Sequence, residues 1–134
     1  MDIKLLIREA FEAQKKAYVP YSDFKVGAAL LTKSGNIYTG CNIESASYTP
    51  TICAERTAIS KAVSEGEKEI EAIAVVGDPE NFTYPCGVCR QVIREFGRDA
   101  TIIIAKNQDE YKLYKLNDLL PYSFGPEDLK KEDK

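Results

Sequence analysis

Ile70-Glu71-Ala72-Ile73-Ala74-Val75-Val76-Gly77 is a continuous apolar run of strand length. Strands read this way when both faces are covered, as in parallel or mixed sheets flanked by helices. Upstream of it, Thr51 is an expected N-cap that places Cys53 in the first turn of a helix running to about Ser64. Further back, Val26–Thr32 and Ile37–Asn42 read as two strands. Between them lies Lys33-Ser34-Gly35-Asn36, a turn with the glycine that hairpins favour. The spacing of Leu5, Leu6, Ala10, Phe11, Ala13 and Ala17 predicts a first helix, ended by Pro20. Downstream, a loop rich in Asp, Pro and Asn leads to Pro85-Cys86. A helix over Gly87–Phe96, a buried strand over Thr101–Ala105 and a weaker strand over Tyr111–Leu116 follow. A hairpin followed by alternating β and α elements implies an α/β fold, a three-layer α/β/α arrangement with a mixed five-stranded sheet flanked by helices. Residues 1–125 are expected to form one domain. Residues 126–134 are mixed in charge and poor in apolar groups, and are expected to be a charged tail, frayed or disordered.

With 134 residues the chain can bury roughly two-thirds of its unfolded surface. Its 44% hydrophobic and 29% charged residues are ordinary for a globular domain. A net charge of −3 argues against a sequence-independent grip on nucleic acid, which needs a basic face. The first residues, Met1 to Glu9, alternate charged and apolar groups rather than forming a signal peptide, and no run is long enough to span a bilayer. The expectation is a cytoplasmic protein with neither membrane nor nucleic acid as partner. In that compartment a C-x-x-C pair is metal-binding or catalytic rather than a structural disulfide.

Chemistry concentrates in two phrases, Cys53-Ala54-Glu55 and Pro85-Cys86-Gly87-Val88-Cys89, in a chain with four cysteines and no histidine. Three thiolates and a carboxylate are the parts of a catalytic zinc site, because three protein ligands leave one tetrahedral position open. The absence of histidine excludes Cys₂His₂ fingers and histidine general bases. A lone C-x-x-C could also be a redox pair, but Arg90-Gln91 follows it without thioredoxin-like context. A closed structural Cys₄ site would need Cys41, which sits near a strand end and reads as an ordinary buried residue. Both phrases are expected to begin helices, whose positive ends favour thiolate. Glu55 is either a helix-start acid or, two residues from a ligand, a proton carrier beside the metal. Three thiolates on Zn²⁺ leave a net charge of −1, so Arg56 or Arg90 is expected to donate to a thiolate sulfur; the plain alternative for either is a surface salt bridge.

A His or Cys followed two residues later by Glu, and then P-C-x-x-C, is the pattern of zinc deaminases. Four longer phrases extend the match: Tyr21-Ser22-Asp23-Phe24-Lys25-Val26-Gly27-Ala28-Ala29, Gly40-Cys41-Asn42-Ile43-Glu44, Cys53-Ala54-Glu55-Arg56-Thr57-Ala58 and Pro85-Cys86-Gly87-Val88-Cys89-Arg90-Gln91. Together, in this order and over nearly the whole chain, they resemble the small homotetrameric cytidine deaminases. The resemblance implies one Zn²⁺ per subunit held by Cys53, Cys86 and Cys89; Arg56 and Arg90, on the charge balance above, and Gln91 beside them are expected to support these ligands. It implies that Asn42 and Glu44 hold the ribose hydroxyls, and that Phe24 packs against the pyrimidine. The backbone of Ala54 and the side chain of Glu55 would read the base edge, while Tyr48 and Phe124 would reach a neighbouring subunit's site. Ser45 stands where the family often has a second Asn, and Thr49-Pro50-Thr51-Ile52 is a variable stretch.

The implied reaction is hydrolytic deamination of cytidine and 2′-deoxycytidine to uridine and 2′-deoxyuridine, with release of ammonia, a step of pyrimidine salvage. Glu55 would take a proton from zinc-activated water, pass it to ring N3 and later to the departing amine. The alternatives are a deaminase of another aminopyrimidine such as blasticidin S, a polynucleotide deaminase, and an interaction module with structural zinc. The Asn42-Ile43-Glu44 phrase disfavours the first, and the acidic balance with no histidine disfavours the second.

Overall fold

The structure, a computed structural model, describes residues 1–129. A five-stranded mixed sheet has the order β2-β1-β3-β4-β5. It is built from β1 (Gly27–Thr32), β2 (Ile37–Cys41), β3 (Ile70–Val76), β4 (Thr101–Ala105) and β5 (Tyr111–Lys115). The pairs β1–β2, β1–β3 and β4–β5 are antiparallel, whereas β3 and β4 run parallel. The helices are α1 (Ile3–Gln14), α2 (Ala54–Ser64), α3 (Gly87–Phe96) and the short α4 (Leu116–Leu119), which the sequence did not announce.

Period-two alternation along the strands divides the interior into two cores. Ala29, Ala72, Ala74, Val76, Ile103 and Ala105 face α1, which brings Leu6, Ile7 and Ala10. Ala28, Leu30, Ile73, Val75, Ile102 and Ile104 face the other way, onto Ala54, Ala58, Ile59 and Ala62 of α2 and Ile93 of α3. The layers are therefore α1, the sheet, then α2 with α3, as the apolar run over Ile70–Gly77 implied. The hairpin turn closes through Gly35, whose φ of 96° suits a residue without Cβ.

Beyond one-residue shifts at strand ends, three boundaries differ from expectation. α1 starts on Asp2, whose side chain accepts from Leu5 N–H, but it stops at Gln14, well short of Pro20. Thr51 does not cap α2: its hydroxyl accepts Ser45 N–H at 3.0 Å, and Cys53 occupies the N-cap position. Residues 126–134, expected as a tail, begin with a 3₁₀ turn over Pro126–Asp128, and residues 130–134 lie outside the described residues.

Candidate active site

Both cysteine phrases are set by helix starts on the same side of the sheet. Gly40 fixes the first: a Cβ there would lie 2.5 Å from Ala54 O and from Ala58 N, so only glycine lets α2 seat this closely on β2. Cys53 is the N-cap of α2 and its side chain caps no backbone N–H, which leaves the sulfur available. Thr57 Oγ1 donates to Cys41 O at 3.0 Å and to Cys53 O at 3.2 Å, tying the end of β2 to this first turn. Cys86 is the N-cap of α3, and its Sγ accepts Cys89 N–H at 3.4 Å. A sulfur in that position faces the helix's unsatisfied N–H donors.

The Sγ atoms of Cys53, Cys86 and Cys89 all lie within 4.8 Å of one another, and those of Cys53 and Cys86 are 3.9 Å apart. Sulfurs on an ideal tetrahedron of zinc–thiolate bonds would be about 3.8 Å apart, so the three are spaced to share one ion. A purely thiolate set is soft and suits zinc. Cys89 is buried, Cys53 half-buried and Cys86 exposed, which leaves the cluster open on one side. Cys41 is outside the cluster and is half-buried rather than fully buried.

Charge is arranged around the sulfurs. The Cys53 thiol is drawn down to about 5 by the hydrogen bond from Cys89, against its own burial, and further by those from Arg56 and Cys86. Cys89 is pushed up by the same bond to Cys53 and by burial. Arg56 Nη2 donates to Cys53 Sγ at 3.5 Å. Arg56 Nε is buried without a hydrogen-bond partner, a position that the negative charge of the sulfur cluster favours. Of the two arginines, one of which is expected to donate to a thiolate, Arg56 does so; Arg90 donates from Nε to Pro85 O and from Nη1 to Leu119 O, both at 2.8 Å, and braces the loop before Cys86. Gln91 likewise reaches away from the sulfurs, donating to Phe124 O at 2.8 Å.

Glu55 is 3% exposed in the first turn of α2. Burial raises its carboxyl to about 7; its own backbone N–H opposes this, the Cys53 charge adds to it, and Arg56 opposes it. A carboxyl poised near neutrality beside a metal cluster can both take and give a proton at working pH. Ala54 is wholly buried in the first turn of α2.

A second group gathers where the loop before β1 meets the end of β2. The Asn42 side chain accepts Val26 N–H at 2.9 Å and donates to Phe24 O at 2.8 Å. Glu44 accepts from Tyr21 N–H at 3.0 Å, from Ser22 N–H at 3.1 Å and from the Ser22 hydroxyl. These bonds hold the Glu44 carboxyl below its ordinary range, the Ser22 hydroxyl contributing most. The segment 21–26 is thus pinned to the strand end by the two residues expected to hold a ribose. Each keeps capacity for a further bond, since an Asn amide has two N–H donors and a carboxylate about four acceptor sites. Phe24 is 43% exposed and Tyr48 74%; Tyr48 meets Tyr21 edge to face with ring centroids 6.5 Å apart. A cleft of about 460 Å³ runs between Tyr21, Ser22, Glu44, Ser45, Tyr48 and Thr51. Asp23, Tyr48 and Tyr122 have φ values of 57°, 64° and 55°, so the loops presenting Phe24, Tyr48 and Phe124 each contain a residue in the left-handed region. Such strain collects where loops are shaped for ligands. Sequence reasoning missed Ser22 and Thr57 as partners, although both lie inside the quoted phrases.

An α/β/α sandwich with an open three-thiolate centre and a neighbouring buried glutamate defines a zinc-hydrolase type of site. Comparison with known proteins narrows the class. Residues 1–106 match the cytidine and deoxycytidylate deaminase zinc-binding region, and the chain belongs to that family. It is 49% identical over 130 residues to the cytidine deaminase of Sporosarcina psychrophila, covering 96% of each chain. It is 48% identical to the cytidine deaminase of Halalkalibacterium halodurans, covering 96% of this chain and 98% of that one. The crystal structure of cytidine deaminase from Burkholderia pseudomallei superposes with a TM-score of 0.86 at 44% identity, covering 92% of this chain and all of the other.

Proposed function

We propose that this chain is a zinc-dependent cytidine deaminase, converting cytidine and 2′-deoxycytidine to the corresponding uridines with release of ammonia. The observation that carries this reading is the convergence of the Cys53, Cys86 and Cys89 sulfurs beside the buried Glu55. Bound by these sulfurs, zinc supplies the Lewis acidity that makes water a nucleophile near neutral pH. Glu55 is read as the group that removes a proton from the attacking water, delivers one to ring N3 and passes one to the amine leaving from C4. Arg56 draws charge from Cys53, and Arg90 and Gln91 brace the loop and helix that carry the other two ligands. Asn42 and Glu44 are read as ribose partners, Phe24 as a wall for the base, and the Ala54 backbone with Glu55 as readers of the base edge. Tyr48 and Phe124 are assigned to a neighbouring subunit's site.

The wider setting belongs to the same proposal. A homotetramer sharing its sites would cover the exposed Tyr48, Val88, Tyr122 and Phe124. Free thiols as metal ligands suit the reducing cytoplasm, where pyrimidine salvage takes place. Residues 1–125 are read as one domain because both cores lie against one sheet. The test is the ultraviolet change on mixing zinc-loaded protein with cytidine, deoxycytidine, cytosine, CMP and blasticidin S. Turnover of the two nucleosides is expected; turnover of blasticidin S alone would overturn the roles of Asn42 and Glu44.

A further inference from the structure

α3 carries more than two metal ligands. Below Cys89 its side chains grip the C-terminal segment in sequence: Arg90 bonds Leu119 O, Gln91 bonds Phe124 O, and Arg94 Nε bonds Ser123 Oγ, each at 2.8 Å. The Arg94 side chain is only 7% exposed, and both its Nη atoms reach the Glu127 carboxylate, with Arg98 3.6 Å from the same group. A buried guanidinium needs such a counter-charge, because removing one partner leaves the other unpaired in a poor solvent for ions. Gly125 passes directly over it: a Cβ at this position would lie 2.4 Å from the guanidinium carbon. Gly125 N–H is bonded to Asp128 at 2.8 Å, which closes the turn. Phe124 therefore has its own carbonyl and both sequence neighbours fixed to α3 or against Arg94, while the residue as a whole is 58% exposed.

We propose that Arg94 is a positioning residue for ligand binding: by clamping Ser123–Asp128 onto the metal helix, it sets the direction in which the Phe124 ring projects. This rests on the reading of Phe124 as a ligand-contacting aromatic. A ring aimed in advance loses less freedom on binding, so loosening the clamp raises KM and leaves the chemical step alone. The test uses zinc-loaded full-length protein and steady-state kinetics with cytidine, comparing Phe124→Ala, Glu127→Gln, Gly125→Ala and the double variant Phe124→Ala/Glu127→Gln. Glu127→Gln and Gly125→Ala are expected to raise KM roughly five- to tenfold, with kcat and zinc content retained, a size typical of one lost interaction. The double variant is expected to match Phe124→Ala alone, because the clamp acts through that ring. Unchanged KM in both clamp variants, effects that add fully to Phe124→Ala, or a parallel loss of kcat and zinc would overturn the inference. Unchanged KM in Phe124→Ala would instead overturn the reading of Phe124 itself, and the inference with it.

Discussion

At the floor of the proposed site Glu55 is 3% exposed and Cys89 is buried, whereas Phe24 at its mouth and Phe124, read as offered to a neighbouring subunit's site, are 43% and 58% exposed. The floor is made from helix N-termini seated on the sheet, with Gly40 admitting α2 to backbone contact. The mouth is made from loops that side chains hold in place: Asn42 and Glu44 pin residues 21–26, and Gln91 and Arg94 pin residues 123–127. The difference matches two tasks. Groups that move protons and hold a metal need fixed positions and low dielectric, while groups that admit a nucleoside need access. Damage to the floor should therefore appear in kcat or metal content, and damage to the mouth in KM.

The largest effect is expected from Glu55→Gln, which removes the proton carrier without touching a ligand. Turnover should fall by more than about 10⁴-fold while zinc remains stoichiometric, because one carboxylate serves several transfers. Near-normal turnover would show that Glu55 is only a helix-start acid. Arg56→Gln comes next, with an expected loss of roughly 10- to 100-fold in activity or zinc affinity, the range for partners that tune metal ligands. Arg90→Gln, whose bonds go to backbone carbonyls, should leave zinc affinity closer to that of the wild type. Equal losses in the two variants would remove the distinction drawn between these arginines.

At the mouth, Ser22→Ala should raise KM for cytidine by about two- to tenfold with little change in kcat. It takes one bond from Glu44 and loosens the segment carrying Phe24. A fall in kcat with KM unchanged would place Ser22 with the floor. The smallest effect concerns pH. The hydrogen bond from Arg94 lowers the Glu127 carboxyl from 4.5 to about 2. A depressed carboxyl pKa stabilises the fold above its unfolded value, so the turn's contribution should be complete above about 4.5 and be lost as pH falls toward 2. Carboxyl NMR titration of Glu127 checks this, and an unshifted midpoint near 4.5 would contradict the ion pair.

Much of this architecture could be read from local pattern. The apolar run at Ile70–Gly77 and the Gly35 turn placed the mixed sheet, and the two cysteine phrases marked the floor. Long-range pairings could not be read. Glu44 and Ser22 meet across 22 residues, Arg90 and Leu119 across 29, and Arg94 and Glu127 across 33. Nothing in residue type or spacing announces such partners. Adjacency alone could not choose between the two arginines: Arg90 follows Cys89 directly, yet its side chain leaves the sulfurs for carbonyls that only the fold brings near, and Arg56 makes the bond to Cys53. Thr51 looked like a cap by composition, but Ser45 N–H claims its hydroxyl and Cys53 begins the helix.

The central claim is that three sulfurs, and not four, surround the metal, with Cys41 outside the set. X-ray absorption at the zinc edge of the purified protein tests it most directly. Three sulfur scatterers and one oxygen, unchanged in Cys41→Ala, are the expected result. Four sulfurs, or a lost scatterer in Cys41→Ala, would make the centre a closed structural knot and contradict the account.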